Sequence, residues 1–93
     1  MNQIKSIGEI INEAKELSRF RRAVDGLKLK SEFKKIFPEL RKVARPKKVE
    51  NGTLFLRVED SVWRSELNMR KHLMIEKINK FYNKEIIKQI RFI

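Results

Sequence analysis

The sequence has no cysteine, one histidine, and no apolar run near the roughly 18–20 residues that a bilayer-spanning helix needs. Without cysteine there is no disulfide framework, no thiolate nucleophile and no cysteine metal site, which fits a reducing cytoplasm. Met1 leads into a capped amphipathic helix rather than a signal-peptide core, so the expected location is cytoplasmic, with no membrane partner. His72 lies opposite the apolar stripe of the last predicted helix and has no His or Cys companion. It reads as a surface residue, and no metal is expected. Neither G-x-x-x-x-G-K-[ST] nor G-x-G-x-x-G occurs, and no serine sits in a nucleophile-elbow context. The 12 carboxylates lie at helix starts or within reach of Lys and Arg, leaving no base–nucleophile pair. The expectation is a non-catalytic protein with no cofactor and no small-molecule substrate.

What the chain has in excess is positive charge: 23 Lys plus Arg against 12 Asp plus Glu, a net +11 over 93 residues. The excess is uneven, with +1 over residues 1–26, +7 over 27–49, −2 over 50–60 and +5 over 61–93. Such a field draws polyanions: nucleic acid first, acidic protein surfaces second, anionic lipid third. With 41% hydrophobic residues the chain can build one core, and its length allows one domain, residues 1–93.

The segment Val49 to Leu67 organises the rest. Asn51-Gly52 suits a two-residue type I′ turn, whose central positions both need positive φ. Leu54, Leu56 and Val58 alternate with Thr53, Phe55 and Arg57, the pattern of a strand with one face on a core. Asp60 and Ser61 offer N-cap oxygens to a helix spanning 61–82, whose stripe of Trp63, Leu67, Met74, Ile78 and Phe81 is assigned to the core. Asn83 ends that helix, and Ile86, Ile90 and Phe92 alternate in a final strand over 86–93 that runs parallel to the strand before the helix. Upstream, Ser6-Ile7-Gly8-Glu9 matches a capping box, and Ile7, Ile10, Ile11, Ala14, Leu17 and Val24 share a face of a helix over 1–26, closed by Gly26 in left-handed conformation. A basic helical segment over 27–43 carries Phe33, Ile36, Phe37, Leu40 and Val43; Pro38 should end its helix near Phe37 and restart it. The hairpin covers 44–58.

A two-residue turn pairs Val49 with Leu54, Lys48 with Phe55, Lys47 with Leu56 and Pro46 with Arg57; a bulge would change this pairing. Lys48, Phe55 and Arg57 then share a face, an aromatic ring flanked by cations on which an unpaired base can stack. The alternative is that Phe55 packs under a helix or a partner subunit. The candidate nucleic-acid site has Lys34, Lys35, Arg41, Lys42, Arg45, Lys47 and Lys48 on phosphates, with Phe55 and Arg57 meeting bases. The expected fold class is α+β in the order α-α-β-β-α-β, with the helices on one face of a three-stranded sheet.

The hairpin Asn51-Gly52-Thr53-Leu54-Phe55-Leu56-Arg57-Val58, the helix start Ser61-Val62-Trp63-Arg64-Ser65-Glu66-Leu67, then Ile78-Asn79 and Ile90-Arg91-Phe92, together resemble the DciA-like family of bacterial proteins. The resemblance covers about residues 43–93. It implies a K-homology-like domain and a DNA-binding adaptor that helps load a DnaB-type replicative helicase, with single-stranded or forked DNA as the nucleic-acid partner. Such proteins lack the G-x-x-G loop of true K-homology domains, as does this chain. Many carry a Trp and a Val-Gly segment in the helix before the hairpin, where this chain has Phe33 to Leu40 with Pro38. Many also carry a long flexible tail, where this chain stops at Ile93; if helicase or DNA contacts reside in such a tail, this chain is expected to make them with the domain or not at all. The competing readings are an RNA-binding module and a protein-only adaptor that docks an acidic partner.

Overall fold

The computed structural model describes residues 7–93, with side chains from residue 13 onward, so the Ser6–Glu9 capping box lies outside the described residues. Helix α1 spans Ile7–Ile36 without interruption. This merges the two helical segments expected on either side of residue 26 and changes the order to one long helix, two strands, two shorter helices and a strand. Gly26 is therefore an interior helical residue, not a left-handed cap. Its role is contact: a Cβ at this position would lie 3.1 Å from Val49 Cβ, so the missing side chain lets α1 approach strand β1 (Ala44–Glu50). Mid-helix glycine costs about 1 kcal/mol in propensity, and burial of Leu29, Phe33 and Ile36 just beyond it offsets that loss.

At about 1.5 Å per residue, α1 is roughly 45 Å long, and the molecule measures 62 × 21 × 19 Å. The first half of the helix outruns the sheet, so Ala14 and Leu17, expected to be buried, are exposed. Val24 is half-buried, and the side chains of Ile7, Ile10 and Ile11 lie outside the described residues. The helix ends as expected ahead of Pro38, which opens a short 3-10 turn, Pro38–Leu40, with Phe37 at φ −128°.

Strands β1, β2 (Thr53–Val58) and β3 (Gln89–Phe92) form one mixed sheet with β2 in the centre. The β1–β2 turn has Asn51 at φ 50° and Gly52 at φ 76°, the two positive values its sequence demands. β3 runs parallel to β2, and the Gly52 carbonyl accepts the amides of Lys88 (2.7 Å) and Gln89 (3.2 Å) at its start. This strand is shorter than expected: Ile86 and Ile87 precede it in a loop, with Ile87 fully buried. Leu54, Leu56, Val58 and Ile90 point to the helix side and meet Leu29, Phe33, Ile36, Phe37, Leu67, Met74 and Ile78 in one core.

The expected single helix over 61–82 is divided at Arg70 (φ −103°, ψ 9°) into α2 (Ser61–Met69) and α3 (Lys71–Tyr82). The Asp60 carboxylate caps α2, accepting the Trp63 amide at 2.9 Å, and Asn83 closes α3 at φ 56°. The break lets α2 address β2 while α3 packs on β3 and α1. It also splits the apolar stripe. Leu67, Met74 and Ile78 are buried, but Trp63 stays 39% exposed and Phe81 47% exposed, so neither is the core residue its spacing suggested. α2 enters the core through Leu67 alone, which leaves its first turn overhanging.

Candidate nucleic-acid interface

The site begins with an irregularity in β1. Lys48 pairs with Phe55 and Val49 with Leu54 as expected, but the register then shifts between Pro46 and Lys48. Pro46, not Lys47, faces Leu56, and Arg45, not Pro46, faces Arg57. Pro46 has no amide hydrogen to give the ladder, and Lys47 becomes the extra, exposed residue of a bulge. The consequence is chemical: the bulge replaces a proline with an arginine opposite Arg57.

Alternation along β2 turns Phe55 and Arg57 away from the core residues Leu54, Leu56 and Val58. The Lys48 ammonium sits over the Phe55 ring, 4.8 Å from its centroid, and pairs with Glu50 Oε2 at 3.1 Å. On the opposite flank, β3 puts Arg91 in register with Phe55 and Gln89 in register with Thr53. The face away from the helices thus carries a central half-buried aromatic ring with a cation on each neighbouring strand. Arg45 and Arg57 extend it. Like charges directly opposite on a sheet repel by a few tenths to about 1 kcal/mol, and Arg57 relieves part of this through Glu59 Oε1 at 3.4 Å. An anion bridging the two guanidinium groups would relieve more.

Arg45, Lys48, Phe55 and Arg57 are therefore brought together, and Lys47 lies on the bulge at their edge. Arg41 and Lys42 occupy the exposed turn leading into β1. Lys34 and Lys35 sit in the last turn of α1, in the helix layer, away from Phe55. Arg91 escaped the sequence reading. Its position between Ile90 and Phe92 marked it as outward-facing, but only the choice of β2 as neighbour puts it beside Phe55.

Fold and face define the class: a small basic α+β domain with an aromatic, cation-flanked sheet face. Among the described residues there is no group of three or more His, Cys, Asp or Glu able to hold a metal ion, and no helix is long and apolar enough to cross a membrane. The family described as Dna[CI] antecedent, DciA, matches residues 6–92, and the chain belongs to that family. Membership implies a helicase loader or operator role in DNA replication, with a DnaB-type replicative helicase as the related partner. No curated protein matches the sequence.

Proposed function

We propose that the open sheet face binds single-stranded or forked DNA and that the protein is a non-catalytic, K-homology-like adaptor that helps place the replicative helicase. The observation that carries this reading is Phe55 on the central strand, with Lys48 over its ring and Arg91 in register on the far side. A base stacked on Phe55 displaces the Lys48 ammonium, which can then turn from Glu50 to a backbone phosphate. Arg45, Arg57 and Arg91 supply further phosphate contacts, which fix the strand without reading its sequence. Lys47, Arg41 and Lys42 continue the positive field along the β1 edge, while Lys34 and Lys35 contribute at longer range. A role in replication is consistent with a cytoplasmic protein.

Fluorescence anisotropy with labelled single-stranded, duplex and forked DNA at about 50 and 200 mM salt tests the reading. If six phosphates are neutralised, affinity falls by roughly 10³-fold across that range. Competition by matched RNA separates the DNA reading from an RNA-binding one, and absence of DNA binding at the lower salt rejects the nucleic-acid mechanism.

A further inference from the structure

We infer that the groove between the end of α1 and α3 is a docking site for an acidic protein segment bearing an apolar side chain. The inference deepens the adaptor reading by assigning its protein-binding side. The groove has a volume of about 420 Å³ and is lined by Lys35, Ile36, Pro38, Lys77, Lys80 and Phe81. It lies in the helix layer, so it is separate from the Phe55 face.

Its chemistry is divided in two. The exposed Pro38 and half-exposed Phe81 make an apolar floor over the buried Ile36, while three ammonium groups surround it. None of Lys35, Lys77 and Lys80 has a carboxylate within 4.0 Å among the described residues. Lys77 is instead held over the Phe37 ring at 5.1 Å, which fixes its ammonium beside the floor. Helix dipoles explain some of this charge, since Lys35 and Lys80 each lie in the last turn of a helix. A helix C-terminus presents only about half a negative charge, so three lysines leave a positive surplus. Surplus cations around an apolar floor complement an acidic peptide that can bury one hydrophobic residue. The floor favours peptide over nucleic acid: Pro38 is aliphatic, the one ring, Phe81, is half-exposed and packs edge-on with Tyr82, and no guanidinium group lines the groove, whereas bases stack on open aromatic planes and guanidinium groups. The cations here are all lysines, point charges without the planar fork that Arg offers to phosphate.

The test is anisotropy of a labelled peptide of aspartates and glutamates containing one phenylalanine. Control probes have that phenylalanine replaced by serine, or the acids replaced by their amides. The proteins are the wild type, Lys35→Glu/Lys80→Glu, and Phe55→Ala/Arg91→Glu, each verified as folded by circular dichroism. Lys35 and Lys80 are exposed, and Lys77 is left in place because it packs on Phe37. The expected result is saturable binding of the acidic, Phe-containing peptide, weaker binding of both controls, and a loss of roughly tenfold or more in Lys35→Glu/Lys80→Glu. The Phe55→Ala/Arg91→Glu protein should keep peptide binding, whatever becomes of its DNA binding, so the two proposals fail separately. Equal binding of the serine-substituted probe, or an unchanged affinity in Lys35→Glu/Lys80→Glu, overturns the docking site. A loss of single-stranded DNA binding as large as the loss of peptide binding in that variant overturns it as well, making the groove part of the nucleic-acid surface.

Discussion

Asn79 and Ile87 are joined by reciprocal hydrogen bonds: Asn79 Nδ2 donates to the Ile87 carbonyl at 2.9 Å, and the Ile87 amide donates to Asn79 Oδ1 at 3.0 Å. The Ile86 amide donates to the same oxygen at 2.9 Å. One side chain on α3 thereby folds the loop that follows, buries Ile87 and delivers the chain to β3. Since β3 carries Arg91 to the side of Phe55, this helix residue helps build a face it does not touch.

Asn79→Ala removes all three bonds and strands partly buried backbone groups. The expected cost is about 2–3 kcal/mol, or a fall in Tm on the order of 10 °C for a domain of this size. Thermal unfolding by circular dichroism measures it. Asn79→Asp keeps the acceptor but sets a carboxylate against the Ile87 carbonyl, so it should fall between wild type and alanine.

Gly26→Leu drives a side chain into Val49, against which even a Cβ would be tight. Overpacking of this kind costs about 1–3 kcal/mol, despite the better helix propensity of leucine. Val49→Ala in the same chain should recover part of the loss. Denaturation of the two single variants and the double variant gives the coupling directly.

Tyr82 makes alkaline stability a diagnostic. Its hydroxyl donates to Glu32 Oε1 at 3.0 Å. Burial first, then that hydrogen bond and the charges of Glu32 and Asp25, hold the phenol well above its ordinary range. A group raised in the folded state contributes fully below its unfolded pKa of about 10 and loses that contribution as pH rises toward the folded value. Urea unfolding should show stability falling above about pH 10. Tyr82→Phe should lose about 1 kcal/mol at neutral pH and abolish this component of the alkaline fall.

On the sheet face, Arg45→Ala, Arg57→Ala and Arg91→Ala should each lower the slope of log affinity against log salt by roughly one. Phe55→Ala should weaken single-stranded DNA by about 1–3 kcal/mol and duplex much less, because only unpaired bases stack. Lys34→Ala, in the helix layer, should change the slope less than any of the three arginines. Anisotropy titrations over a salt series decide this.

Several features were legible in the sequence because they depend on a few adjacent residues. Asn51-Gly52 takes positive φ, Asp60 caps the next amides, Asn83 adopts the left-handed conformation, and Pro38 cannot continue a helix. The inward Leu54, Leu56 and Val58 follow from a period of two. From these come the hairpin, the ends of the helical stretch over 61–82 and three residues of the candidate face, Lys48, Phe55 and Arg57, with the strand direction of β3 following from the helix before it.

What tertiary structure decided depends on partners distant in the chain. Gly26 lies inside a continuous helix, and its lack of a side chain serves the close approach of Val49, a partner distant in the chain. Trp63 has the spacing of a core residue yet remains exposed, since a bend at Arg70 carries its turn past the core. The Lys47 bulge exchanges Pro46 for Arg45 opposite Arg57, and pairing of β3 with β2 brings Arg91 beside Phe55. Periodicity assigns a side chain to a face, but register and strand order assign its neighbours. Those are chosen by the packing of the whole core, so alternation in the chain set the two faces of β2, while the fold chose which outward side chains meet and left Trp63 and Phe81 outside the core.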